Sequence, residues 1–191
     1  MKVYDISQEV FSCRVYPGDP KPERIVKKTV KENGYNLTLF SMCAHNGTHT
    51  DAPYHFLEDG MTIDALPVET FVGECYVARH EGDVDDETAR EILRQAEGTP
   101  RILIAGDCTV TEAAAKVFAD GNVILVGNES QSVGPLHAPR NVHYILLGKG
   151  IALLEGLVME AVPVGHYILS AAPLKLAGAD GAPCRACLIK L

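Results

Sequence analysis

His45-Asn46-Gly47-Thr48-His49-Thr50-Asp51-Ala52-Pro53-Tyr54-His55-Phe56 is the stretch on which the reading of this chain turns. Three of the seven histidines and one carboxylate fall within the eleven positions from His45 to His55. Neutral imidazoles combined with a carboxylate are donors suited to Zn²⁺ or Mn²⁺, and the stretch carries no thiolate. A regular helix does not fit. At ~100° per residue His45 and His49 would share a face while Asp51 and His55 lay roughly 120° away, and Gly47 and Pro53 oppose helix formation. On an extended strand all four positions are odd-numbered and face one way. The stretch is therefore expected to be extended or looped. Gly47 would bend the backbone so that His45 and His49 converge, and Pro53 would stiffen the approach to His55.

Upstream, Arg24 to Lys31 and Tyr35 to Cys43 are rich in β-branched and apolar residues, with Asn33-Gly34 between them. That dipeptide predicts an antiparallel hairpin closed by a type I′ turn, which delivers the chain to Ala44. Downstream, Asp85 can cap a helix in which Ala89, Ile92, Leu93 and Ala96 recur at helical spacing, with Gly98 and Pro100 as stop signals. Arg101 to Ala105 reads as a buried strand, Thr111 caps a second helix reaching about Ala119, and Asn122 to Val126 reads as another strand. From His143 onward four short apolar runs read as strands: His143 to Leu147, Ile151 to Leu154, Tyr167 to Ser170 and Ala186 to Ile189. With no repeat, low-complexity tract or linker, residues 1–191 are expected to form one α/β domain with a mixed sheet.

Composition excludes several classes. A chain of 191 residues, 47% hydrophobic and 22% charged, can build a sizeable core and is too apolar for disorder. Its 17 basic against 25 acidic residues leave a net charge of −8 without a Lys/Arg cluster, which argues against nucleic acid and anionic membranes as partners. No stretch approaches the ~20 apolar residues of a membrane span, and the N-terminus lacks a signal-peptide core. Six scattered cysteines fit reduced thiols in a cytoplasmic protein. Cys184-x-x-Cys187 alone has metal or redox spacing, but without a second pair or a nearby histidine it reads as buried thiols.

Glu155 ends the apolar run Ile151 to Leu154, where a carboxylate is costly to bury unless it is paired or binds a metal. A solvated strand end is the alternative. His143 lies twelve positions before it. With these two residues the chain resembles the cyclase-like metal-dependent hydrolase family, which includes bacterial kynurenine formamidase (arylformamidase) and isatin hydrolase. The central stretch is similar to the family signature HxGTHxDxPxH. Tyr16-Pro17-Gly18-Asp19-Pro20 resembles the family's N-terminal [WY]PGDP element, and His143 and Glu155 match a later His…Glu pair.

The resemblance implies a single domain with a mixed sheet or barrel-like core flanked by helices, of the swivelling β/β/α kind. It implies two divalent ions, zinc first and manganese as the alternative: one held by His45, His49 and Asp51, the other by Asp51, His143 and Glu155. Asp51 and Glu155 would lie between them. It makes His55 the acid/base residue and implies hydrolysis of a small aryl formamide by a metal-activated hydroxide. Hydrolysis of a cyclic amide or lactone is the alternative activity, and a metal-bearing binding protein without turnover is the third. The family also implies a homo-oligomer, dimer or tetramer, acting on a small molecule.

Tyr16, presented by the Pro17-Gly18 turn, is a candidate to face an aryl substrate, with a plain structural role as the alternative. It stands where the family's formamidases typically carry Trp, and this sequence has no Trp. Asn128 to Gly134 departs from the Asp-containing segment of many relatives and is expected to border the site. His80, His137 and His166 match no family ligand and read as structural or surface residues.

Overall fold

Arg101–Ala105 is buried at every position, as expected of a strand covered on both faces, and it lies in the middle of the main sheet in the computed structural model, which describes residues 1–191. In chain order the strands are β1 (Lys2–Asp5), β2 (Glu23–Lys28), β3 (Leu37–Ser41), β4 (His49–Asp51), β5 (Val72–Arg79) and β6 (Gly82–Val84). They continue as β7 (Arg101–Ala105), β8 (Cys108–Val110), β9 (Leu125–Asn128) and β10 (Ala152–Glu155), then β11 (Gly165–Ser170), β12 (Gly181–Pro183) and β13 (Cys187–Lys190). The helices are α1 (Val30–Asn33), α2 (Asp86–Gln95), α3 (Glu112–Asp120) and α4 (Arg140–Leu147).

Nine strands pair in the order β1-β13-β11-β5-β7-β9-β10-β4-β12. The centre, β5 through β10, is parallel, and the flanks are antiparallel. The chain is thus a single α/β domain built on a curled mixed sheet, as expected. Alternation within the strands divides the interior. Ile102, Ile104, Val126 and Leu153 face α2, α3 and α4, meeting Ile92, Phe118 and Leu146. Leu103, Ala105, Leu125 and Leu154 point the other way, into a core shared with Leu169, Leu188 and Ile6, over which the sheet curls.

Both predicted helices begin where their caps place them. The Asp85 side chain accepts from the Thr88 N–H and that of Thr111 from the Ala114 N–H. The strands at 151–154, 167–170 and 186–189 form with small shifts as β10, β11 and β13. The strand expected at Asn122 to Val126 moves to Leu125–Asn128, because Gly121 and Asn122 are still in the turn that follows α3.

Two expectations are corrected. The hairpin of β2 and β3 is antiparallel, but it is closed by α1 rather than by a two-residue turn. Thr29 caps that helix through the Glu32 N–H, and Gly34, at φ 81, is its left-handed C-cap, so Asn33 belongs to a helix. The second correction is His143 to Leu147, which forms α4 and not a strand. Val142, His143, Leu146 and Leu147 are its buried side, a helical period hidden in a short apolar run. No helix is long and apolar enough to cross a membrane.

Candidate metal centre

The register of two short strands assembles the site. β4 runs antiparallel to β10 with His49 opposite Glu155 and Asp51 opposite Leu153. These residues share the sheet face that α4 covers, and Glu155 ends β10 on the carboxyl side of the parallel strands, where open α/β sheets hold their ligands. From α4, His143 reaches the same spot. Only His49–Asp51 of the motif is a strand; His45 lies in the preceding turn, with Gly47 at φ 64, and Pro53–His55 is a single 3₁₀ turn. The odd-numbered side chains still converge, through this bend rather than along one continuous strand.

His49 Nε2 lies 3.4 Å from Asp51 Oδ1 and 3.4 Å from Glu155 Oε2. His143 Nε2 lies 3.4 Å from Glu155 Oε1 and 3.6 Å from Asp51 Oδ2. His45 Nδ1 is 2.8 Å from Asp51 Oδ1. Each carboxylate therefore faces histidines with both oxygens. His49, Asp51, His143 and Glu155 are all buried. Glu155 Oε1 also accepts the Val133 N–H at 2.7 Å, which ties the loop after β9 to the site, as expected for Asn128 to Gly134.

Protein groups alone leave this cluster electrostatically incomplete. Burial opposes the charged form of each histidine, yet the carboxylates outweigh it. They push His49 up to about 9, His143 to about 10 and His45 to about 11. Burial likewise opposes an ionised Asp51, but His45 and the other two imidazoles hold it well below the usual carboxylate range.

The donor set fits divalent metal binding. Asp51 Oδ2 is buried with no hydrogen-bond partner, a costly state for a carboxylate oxygen that no cation contacts. His49 Nδ1 lies 2.9 Å from Gly47 O and His143 Nδ1 lies 2.9 Å from Pro139 O. A carbonyl only accepts, so both Nδ1 atoms carry a proton and both Nε2 atoms face the carboxylates, where a cation would take the place of the second proton that the raised pKa values describe. Separations near 3.4 Å are those of two donors each ~2.0–2.1 Å from one tetrahedral ion. The donor atoms converge in three overlapping groups, His45, His49 and Asp51, then Asp51, His143 and Glu155, and a less buried one of His45, His55 and Asp180, with His45 and Asp51 at hydrogen-bond distance rather than 3.4 Å.

The cluster opens into a cavity of about 250 Å³ whose walls include Tyr16, Asp19, His55, Phe56 and Gln131. Tyr16, held by a 2.5 Å bond from its hydroxyl to Leu136 O, is on the wall of that cavity. His55 stacks on His45 with ring centroids 4.0 Å apart. His80 and His166 bond elsewhere, to Asp83 O and Thr99, and are not part of the site. Cys184 and Cys187 are unpaired, half-buried thiols, and burial pushes Cys184 up to about 12.

One member was not legible in the sequence. Asp180 Oδ2 lies 2.8 Å from His45 Nε2 and 3.1 Å from His55 Nδ1. It belongs to no motif and stands 125 positions after His55. Its signal is topological: β12 pairs with β4 so that Gly181 lies opposite Asp51.

Comparison with known proteins agrees with this architecture. The Cyclase family model matches residues 4–135. The kynurenine formamidase of Salinibacter ruber is 34% identical over 210 aligned residues, covering 98% of this chain and 97% of the relative. That of Erythrobacter litoralis is 32% identical, covering 100% and 94%. A solved structure described as a potential metal-dependent hydrolase with cyclase activity is 30% identical with a TM-score of 0.83, covering 98% of this chain and 96% of that one. Isatin hydrolase A from Labrenzia aggregata shares the fold, with a TM-score of 0.87 at 20% identity and coverage of 100% and 94%. Matched along most of its length by one family model, and end to end by relatives above 30% identity, the chain belongs to the cyclase family.

Proposed function

We propose that the protein is a metal-dependent amide hydrolase acting on a small aryl formamide, as its kynurenine formamidase relatives are named for doing. The observation that carries this reading is a buried pair of carboxylates between three imidazoles, with Asp51 Oδ2 lacking any hydrogen-bond partner. His45, His49 and Asp51 would hold one divalent ion, and Asp51, His143 and Glu155 the second. The donors are nitrogen and oxygen without sulfur, a set suited to zinc and also accepted by manganese. When bound, the ions supply Lewis acidity toward a carbonyl and bring the pKa of water toward neutrality.

His49 and His143 keep their Nε2 atoms available because Gly47 O and Pro139 O hold the Nδ1 protons. His55, on the cavity wall, takes a proton from water as it adds to the formyl carbon and returns that proton to the nitrogen as the C–N bond breaks. The products are formate and an aryl amine. Tyr16 and Phe56 line the cavity with aromatic rings that suit an aryl group. A cyclic amide is the second substrate class, since a ring amide presents the same carbonyl beside an aromatic face. Self-association of a cytoplasmic protein is part of the reading. It is supported by exposed apolar side chains on the β2–β3 hairpin, among them Val26, Leu37, Leu39 and Phe40.

The test is elemental analysis of the purified protein together with hydrolysis of formanilide and N-formylkynurenine, with isatin as the cyclic comparison. The expected result is two divalent ions per chain and turnover of the formamides. Full metal loading without turnover of any amide would refute the hydrolase reading.

A further inference from the structure

Asp180 is placed between two histidines by backbone that is anchored on both sides. Its carbonyl accepts the Ala52 N–H at 2.9 Å, and the carbonyl of Ala179 accepts the Ile63 N–H at 2.9 Å. Its neighbour Gly181 packs so closely that a Cβ there would lie 2.7 Å from His45 Cε1 and 2.7 Å from Thr50 O. The Asp180 carboxylate is therefore delivered beside the ring edges of His45 and His55 by strand register. One oxygen, Oδ2, serves both rings.

A carboxylate oxygen only accepts hydrogen bonds, so the His55 nitrogen facing it, Nδ1, carries the proton. The ring then bears its lone pair on Nε2, which has no hydrogen-bond partner in the protein, while the side chain lines the cavity. The ring is also held by its stack on His45 and by an edge contact with Phe56, centroids 4.6 Å apart. In water a neutral imidazole is free to carry its proton on either nitrogen and to rotate. Here a charge-assisted bond removes both freedoms.

We propose that Asp180 is the positioning residue for His55: its carboxylate fixes the Nδ1–H tautomer and the ring orientation, so that Nε2 faces the substrate cavity as the proton-transfer atom. The same oxygen holds the His45 Nε2 proton and leaves Nδ1 directed at Asp51. One carboxylate thereby aligns an acid/base histidine and a ligand-type histidine stacked upon it. The logic is that of an aspartate orienting a catalytic histidine in hydrolases with a nucleophilic serine, reached here on a different fold. The proposal rests on the reading of His55 as the acid/base residue.

The experiment is histidine ¹⁵N–¹H correlation spectroscopy on the zinc-loaded protein at about pH 8, where free imidazole is neutral. The His55 signal is assigned by its loss in His55→Gln. Parent, Asp180→Asn and Asp180→Ala are compared for tautomer, zinc content and steady-state hydrolysis of formanilide. The parent is expected to show His55 protonated at Nδ1, and both variants to move the proton to Nε2 or to average between the two. Because Asp180 also holds His45, turnover is measured with zinc in excess and normalised to bound zinc; so normalised, kcat is expected to fall about 10–100-fold with KM within about twofold, the signature of a group that acts in the transition state. The near-isosteric Asp180→Asn keeps the test alive should Asp180→Ala fold poorly. The proposal is overturned if the parent carries its proton on Nε2, if His55 keeps Nδ1–H in the variants, or if turnover is unchanged once the proton has moved. Absence of turnover in the parent would count against the hydrolase reading, and the tautomer comparison would still decide whether Asp180 holds the ring.

Discussion

Two adjacent stretches invert the usual relation between polarity and burial. In β2 and β3 every residue except Lys28 is exposed, although the strands carry Ile25, Val26, Leu37, Leu39 and Phe40. A few positions later Asn46, Thr48, His49, Thr50 and Asp51 are all buried. A two-stranded hairpin with both faces in water is marginal by itself, whereas the polar stretch is clamped between β10 and β12. What separates them is the supply of partners. The hairpin has apolar surface with nothing laid over it, whereas the polar stretch has its backbone paired on both sides and its imidazoles facing carboxylates, with Asn46 Nδ2, Thr50 Oγ1 and Asp51 Oδ2 left without hydrogen-bond partners. Where partners exist, a charge can be buried; where they do not, even a leucine stays outside.

The comparison breaks most severely if a buried charge is removed. Asp51→Ala takes away the one residue common to both candidate ion groups. Elemental analysis should show at least one ion lost per chain, and amide turnover should fall by about 10³-fold, a loss of several kcal/mol of charge stabilisation. Prolonged dialysis against a chelator should produce the same loss of turnover, reversed by adding back zinc. His55→Ala separates chemistry from assembly. Ion content should match the parent while kcat falls about 10²–10⁴-fold, and an unchanged rate would remove His55 from the proton-transfer role.

A smaller effect is expected where packing alone is altered. Gly181→Ala drives a methyl group against His45 Cε1 and Thr50 O. Overpacking of this kind costs about 1–3 kcal/mol, read as a lower midpoint in urea unfolding. The smallest effect on the fold belongs to the hairpin. Leu39→Lys should change chain stability by less than about 0.5 kcal/mol because the side chain is already half exposed. In sedimentation velocity the same variant should shift the protein toward monomer. A persistent oligomer would place the interface elsewhere and leave the exposed hairpin unexplained.

The groove beside that hairpin sharpens the contrast further. At about 860 Å³, and lined in part by Phe11, Phe40, Met42 and Leu174, it is larger than the cavity over the histidines. Volume alone would point to the groove rather than to the candidate metal centre. The site is recognised by converging donors and a cavity wall bearing His55, not by size.

Features set by neighbours in sequence were legible before any coordinates. The caps Asp85 and Thr111 fixed two helix starts, and the apolar run Arg101 to Ala105 declared a strand buried on both faces. The spacing of His45, His49, Asp51 and His55 pointed to side chains converging on one place, because alternating positions and a bend at Gly47 operate over a few residues. Tertiary structure alone decided what followed. His143 to Leu147 is too short for its period to show, and it became a helix because Val142, Leu146 and Leu147 had the sheet to pack against. Asn33-Gly34 had the chemistry of a tight turn, yet the Thr29 cap and the bond from the Val30 N–H to Asn36 Oδ1 drew it into a helical turn. Asp180 has no local signal at all. It reaches His55 because β12 aligns with β4, and strand register joins residues whose separation along the chain carries no information about their distance in space.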